Sequence, residues 1–545
     1  MKNDRNKRSD KRSEKPNPQS RNAKGKKDIR DPKLDKAHFS GYEEAAGHTN
    51  DVAWYALDAQ MLSDAANVSF GNPAGALLPT PNGKPYEYEY TNQAVPGILK
   101  VNYVPTLGNV GSYSDPVNLA ASALYTFTRR SNAGSANYEP ADLMMTMLAV
   151  GSAHEYLAWC KRLYGVANAF THTNRYIGDA LIHAMGADVQ DVRMHMADFR
   201  AWINQFARNL GQLWVPANFP YFQRRNYLVS NYFIDSTNTK GQMYFYNPVD
   251  WYLYDGYTSE DGGRLVLSSD LYPESDWNGG QYNWKSRVEE HDLTFYAITT
   301  FGDEMLRRLL NDNDIAIQGG DMLKAFGENA QMIAAPIVDD LIAFPVYDET
   351  AILQLNNLMV AGSWGANSMT VGQSGGLISC SPIYTRRFDF INTTVNRRSM
   401  GDNPAEVMEA TRFQYTVLPD SEGGYTRTVA TIGAEWIESL QVYYNATTSG
   451  SMINGAQIVD TIVDTDYLIN EGNETEWLAF SRALCLLSNF DWHPYVRLWR
   501  EIGDGDTRIQ LVHGDFDNYT TVFYDTLAKI NACAWISLFR SPLQG

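Results

Sequence analysis

The chain has 545 residues, 44% of them hydrophobic and 20% charged, with a formal net charge of −18. This is the composition of a globular protein with ample core rather than of a disordered or membrane-embedded chain. The first 25 residues hold no apolar stretch and no run approaches 18 apolar residues, so neither a secretory signal nor a membrane span is expected.

Charge is divided unevenly. Residues 1–40 carry fourteen basic side chains: Lys2, Arg5, Lys7, Arg8, Lys11, Arg12, Lys15, Arg21, Lys24, Lys26, Lys27, Arg30, Lys33 and Lys36. Against six acids this gives the arm a net charge of +8, leaving −26 on the rest. Phe39 is its only aromatic residue. Such a segment buries too little apolar surface to offset the entropy of ordering it, so a disordered arm over 1–45 is expected. A flexible polycation displaces counterions from phosphates without reading sequence, and the fourteen side chains are the candidate RNA-binding residues. The lack of stacking aromatics argues against base-specific recognition. A solubilising tail or a localisation-type basic cluster is the alternative reading.

From 41 to 110 short helical stretches alternate with Pro/Gly breaks. Trp54, Leu57, Met61, Leu62 and Ala65 predict a helix over 51–66, and residues 98–104 read as a strand. Helical pattern dominates from 116 to 215. Asp115-Pro116 predicts a helix start with Asp as N-cap, and Leu119, Ala123, Tyr125 and Phe127 follow before the basic turn Arg129-Arg130. Pro140–Tyr164 is the clearest long helix, with Gly165 as its expected end, and a further helix is predicted over 191–213. Residues 231–290 turn rich in Tyr, Trp, Asn, Gly and Ser, with strand-like pieces at 243–246, 264–267 and later 426–432. Helices are expected again at 476–487 and 519–539. The fold expected is mainly α with a β-containing insertion (α+β): a helical base over 46–235 and 436–545, interrupted by a loop- and strand-rich insertion over 236–435. Thirteen Trp and 33 Tyr exceed ordinary core needs and suggest assembly surfaces or carbohydrate binding.

No catalytic constellation emerges, and no enzyme, cofactor or metal is expected. His154-Glu155 lacks the second His of a zinc protease motif. His172, His183 and His195 are 11 or 12 residues apart, which is not ligand spacing. Asp312, Asp314, Asp504 and Asp506 lack the remaining EF-hand ligands and read as turns. The glycines of 372–376 carry no Lys-Ser/Thr, excluding a P-loop, and do not form a nucleophile elbow. Asp339-Asp340 reads as a solvated acidic face. The paired arginines at 129–130, 224–225, 386–387 and 397–398 read as intramolecular ion pairs, or as contacts to RNA or neighbouring subunits. The four cysteines form no CxxC pair, and Cys160, Cys485 and Cys533 are expected as buried thiols. The Asn-X-Ser/Thr sequons at Asn67, Asn392, Asn445, Asn473 and Asn518 read as chance.

A series of short words in order carries a family resemblance. Asn50-Asp51, Trp54-Tyr55 and Gln60-Met61-Leu62 are followed by Pro96-Gly97-Ile98, Tyr103-Val104-Pro105-Thr106 and Ser114-Asp115-Pro116-Val117-Asn118. The strongest is Asn137-Tyr138-Glu139-Pro140-Ala141-Asp142-Leu143; Asn174-Arg175-Tyr176, Ala197-Asp198-Phe199-Arg200 and Pro220-Tyr221-Phe222 follow. Over about 50–245 this resembles the picobirnavirus capsid proteins. The resemblance implies symmetric dimers building a closed icosahedral virion shell around a segmented double-stranded RNA genome, a helical shell domain and an outward projecting domain. It implies an inward-facing basic N-terminus, removed by proteolysis in some members. The partners it implies are further copies of the chain, RNA bound nonspecifically and the viral polymerase inside the shell, with the virion, and the host cytoplasm during assembly, as location. The competing reading is a surface carbohydrate-binding protein of the large acidic Trp/Tyr-rich helical type, which needs a secretory signal that this N-terminus lacks.

Overall fold

The computed structural model describes residues 57–68, 75, 77–79, 92–132, 134, 138–169, 175–236, 241–256, 262–271, 284–397, 403–419, 426–445, 451–453, 456–470, 473–502 and 506–540. The chain divides at residue 71 into a short N-terminal unit and a large second unit. The basic arm lies outside the described residues. In the first unit the helix Ala59–Ala66 is started by Asp58, whose carboxylate accepts from the backbone N–H groups of Gln60 and Met61 at 2.8 and 3.1 Å. No residue of this helix is buried.

The second unit is built on a seven-stranded mixed sheet. Its order is Ser451–Ile453, Ala456–Val463, Glu435–Asn445, Ile98–Pro105, Met243–Pro248, Tyr232–Ile234 and Pro345–Val346. Ile98–Pro105 lies at the centre, antiparallel to Glu435–Asn445 and parallel to Met243–Pro248, and every one of its residues is buried. Alternation sends Leu99, Val101 and Tyr103 to one face and Lys100 and Asn102 to the other. Mixed α+β architecture is therefore present, but strands are not confined to 236–435. The main sheet joins strands from all three stretches that the sequence separates, because a fully buried central strand needs partners on both edges.

The long helix Pro140–Asn168 starts with proline in its first turn and with the Asp142 carboxylate accepting from the Glu139 N–H at 2.9 Å. Apolar residues surround it on every side, and 25 of its 29 residues are buried. Gly165 does not end it. A Cβ there would lie 2.8 Å from the Ala343 nitrogen, and Ala343 N–H donates to the Gly165 carbonyl at 3.0 Å, so the glycine admits a crossing segment. Gly151 likewise admits Phe222. Tyr156 touches Trp159, Trp202, Trp251, Trp284, Phe206 and Phe301, so much of the aromatic surplus fills core.

Other local expectations shift for identifiable reasons. Pro116–Arg130 is helical, but Asp115 accepts from Gly111 and Ser112 N–H at 2.8 and 2.7 Å instead of capping forward. Its buried stripe is Val117, Ala120, Ala121, Leu124 and Thr128, with Leu119 exposed. The 191–213 helix is two pieces, Val189–Met194 and Met196–Leu210, hinged at His195. Residues Tyr519–Phe523, read as helix, form a strand against Asn392–Asn396, and the helix begins only at Tyr524. The β-branched Thr520-Thr521-Val522 run explains the change.

Candidate functional site

Six paired arginines are committed inside the body. Arg225 meets Glu155 at 2.9 Å, Arg129 meets Asp321 at 3.2 Å, and Arg387 meets Glu501 at 2.9 Å. Arg397 reaches Glu406 at 2.6 Å, while Arg224 pairs with Glu435 and Arg386 with Asp464. Arg225 and Glu155 are both buried. Tyr103 donates to Glu155 at 2.5 Å and Arg225 donates to the Tyr221 hydroxyl at 2.7 Å. Burial and the Glu155 charge push the Tyr103 hydroxyl well above its ordinary range, so it stays a donor. This network ties the central strand to the long helix and to the helix Pro220–Ser230, a structural role rather than a nucleic-acid one.

The histidines do not converge. His183 stacks on His291 with centroids 4.0 Å apart, and burial with His291 beside it pushes His183 down to about 3. His195 lies 3.3 Å from Asp191 at the hinge, and His154 is buried in the long helix. His172 lies outside the described residues. Among the described residues no group of three or more His, Cys, Asp or Glu could hold a metal ion. Asp312 caps the helix Asn313–Phe326, and Gly375-Gly376 turn a hairpin at φ 57° and 75°. No helix among the described residues is long and apolar enough to cross a membrane.

Three features outside the sequence reading stand out. On the polar face of the sheet, a cavity of about 390 Å³ is lined by Lys100, Asn102, Glu438, Gln441 and Asp460. Lys100 is only 1% exposed, and burial pulls its pKa from 10.5 to about 7. The second is a strap over 331–344 with no regular secondary structure of its own beyond a turn at 339–340. Side chains of the neighbouring helices bind its backbone: Lys161 donates to the Ala335 carbonyl at 2.6 Å and Asn168 to the carbonyls of Asp339 and Leu341 at 3.0 and 3.2 Å. Asn204 both donates to and accepts from Ile337. Outward it presents Ile333, Val338, Ile342 and Phe344, exposed by 84, 63, 39 and 69%.

The third is an apolar groove of about 510 Å³ walled by the helix Tyr524–Leu538, the helix Pro404–Ala410 and the start of Pro220–Ser230. Met408, Ile530, Cys533, Ala534 and Leu538 form its walls. Cys485 and Cys533 are exposed, correcting the expectation that they are buried, whereas Cys160 and Cys380 are buried. Both exposed thiols lie on helices with only one covered stripe, and apolar neighbours in sequence do not reveal which side is covered.

Comparison with known proteins agrees with the fold. The family model described as Picobirnavirus, Capsid protein matches residues 54–379, well past the stretch legible by eye. A capsid protein precursor of human picobirnavirus is 28% identical over 319 residues, 58% of this chain and 55% of the relative, so the chain spans about half the length of the curated relative it matches. A solved X-ray structure of the picobirnavirus capsid superposes with a TM-score of 0.74 at 24% identity, covering 91% of this chain and 99% of that one. With the family model covering more than half of its length and the same fold found in a solved capsid, the chain belongs to the picobirnavirus capsid protein family.

Proposed function

We propose that the chain is a coat subunit whose copies associate as dimers and close into an icosahedral shell around double-stranded RNA. In this reading residues 1–40 hold RNA on the interior through Lys and Arg contacts to phosphate, and 236–435 contributes the projecting domain. The viral polymerase shares the enclosed space, and subunits assemble in the host cytoplasm. The observation that carries the reading is the likeness to a solved capsid over 91% of the chain. The charge asymmetry supports the role of the arm: a cationic tether on an acidic body attracts RNA at one place and repels it elsewhere, leaving the genome movable. The family match favours this reading over a surface carbohydrate-binding protein.

Sedimentation of the full chain, recorded at 260 and 280 nm, tests it. Megadalton particles with excess absorbance at 260 nm are expected. Deleting 1–40 should remove the RNA while leaving particles, and unchanged RNA content would end the assigned role of the arm. A stable monomer at micromolar concentration would end the coat-subunit reading.

A further inference from the structure

The groove beside the C-terminal helix and the strap over 331–344 are matched in chemistry. The groove is apolar along Met408, Ile530, Ala534 and Leu538. Arg412 stands at its edge, donating to the Met408 carbonyl at 2.7 Å and to Thr411 and Asn531 at 3.2 Å each, with no carboxylate among its hydrogen-bond partners in the described residues. Lys529 adds a second cation and Glu409 one anion, while Arg224 and Glu435 neutralise each other. A half-buried guanidinium that no carboxylate of the described residues hydrogen-bonds, above an apolar floor, suits an acid flanked by apolar groups. The strap carries that pattern: Asp340 is exposed and sits between Val338 on one side and Ile342 and Phe344 on the other. Its neighbour Asp339 is engaged with Arg200 of the same copy.

The strap is bound along its backbone to the helices Pro140–Asn168 and Met196–Leu210, whereas the groove is walled by Tyr524–Leu538. A strap so held cannot leave its own helices to fill the groove of its own copy, so a strap seated in that groove belongs to a second copy. We infer that the apolar groove beside the C-terminal helix receives the strap of a second copy of this chain, with Val338, Ile342 and Phe344 entering the groove and Asp340 facing Arg412. This rests on the coat-subunit reading and gives it a specific contact between copies. The contact joins two unlike surfaces, so each subunit offers a donor strap and an acceptor groove.

Cys533 in the groove wall makes the contact measurable. In the full chain carrying Cys485→Ser, it is the one exposed thiol of those the sequence contains. Its maleimide reactivity should fall about tenfold or more in assembled particles relative to subunits dissociated by salt, a burial equilibrium of about 1.4 kcal/mol or more. Adding Phe344→Cys should then give a disulfide between copies through Cys533 under diamide, while Tyr113→Cys, at an exposed position elsewhere, should not. Arg412→Glu should raise the concentration needed for assembly, and Asp340→Arg in the same chain should restore it. Particles in which Cys533 stays fully reactive would overturn the contact and keep the shell. Protection of Cys533 without the cross-link would assign the groove to another segment and overturn the role of the strap. Failure of the unaltered chain to form particles would remove the coat-subunit reading and this contact together.

Discussion

Two helices of similar apolar content are treated in opposite ways. Pro140–Asn168 is enclosed on all sides, whereas Tyr524–Leu538 buries only Leu527, Asn531 and Trp535, a single stripe at i, i+4 and i+8. The first is covered by its own chain and holds the fold together. The second leaves Ile530, Cys533 and Ala534 along a groove that the described residues do not fill, an apolar surface of the kind that marks interaction sites. The first kind of helix holds one copy of the chain together, and the second is the kind that the proposed contact between copies would cover.

The contrast can be broken most sharply at Glu155. Glu155→Ala would strand Arg225 in the core without a counter-charge and should cost about 3–5 kcal/mol in urea unfolding. A loss under 1 kcal/mol would mean the ion pair does not anchor the enclosed helix. Leu148→Ala, at a position with no exposure, should cost about 2–5 kcal/mol by the same measurement.

Lys100 tests the interior in another way. Its folded pKa, about 7, lies below its ordinary 10.5, so the unfolded chain binds the proton more tightly between these values. The penalty is fully present below about pH 7, and stability contributed by this site rises as pH climbs toward 10.5, by about 1.4 kcal/mol per pH unit at most. Lys100→Met should flatten that rise in thermal unfolding followed against pH. An unchanged pH profile would show that Lys100 titrates normally. The smallest effect is expected on the open helix: Ile536→Ala, at a position 38% exposed, should change unfolding of the dissociated subunit by no more than about 0.5 kcal/mol.

Much of this was legible from residues alone, and the misses share a cause. The central strand, the long helix and the strands at 243–248, 264–267 and 427–432 follow from local periodicity. Cys485 and Cys533 were misplaced because periodicity shows that a helix has an apolar side without showing how much of it is covered. Gly165 looked like a stop because the segment that crosses it lies far away in sequence, at Ala343. The seven-stranded sheet was missed for the same reason, its central pairing joining residues near 100 to residues near 440. The groove and the strap left no motif at all, since each is a relation between distant elements.

That central pairing has a bearing on synthesis. Strand Ile98–Pro105 leaves the ribosome well before its antiparallel neighbour Glu435–Asn445, which appears only after residues 106–434 have been made. Until then the middle of the main sheet has an open edge, and pairing across so long a loop is slow. A prematurely terminated chain that ends before 435 cannot close this sheet and is left as a substrate for chaperones and proteases. The topology thereby acts as a length check, keeping out of the folded pool any chain that stops short of the 435–445 strand.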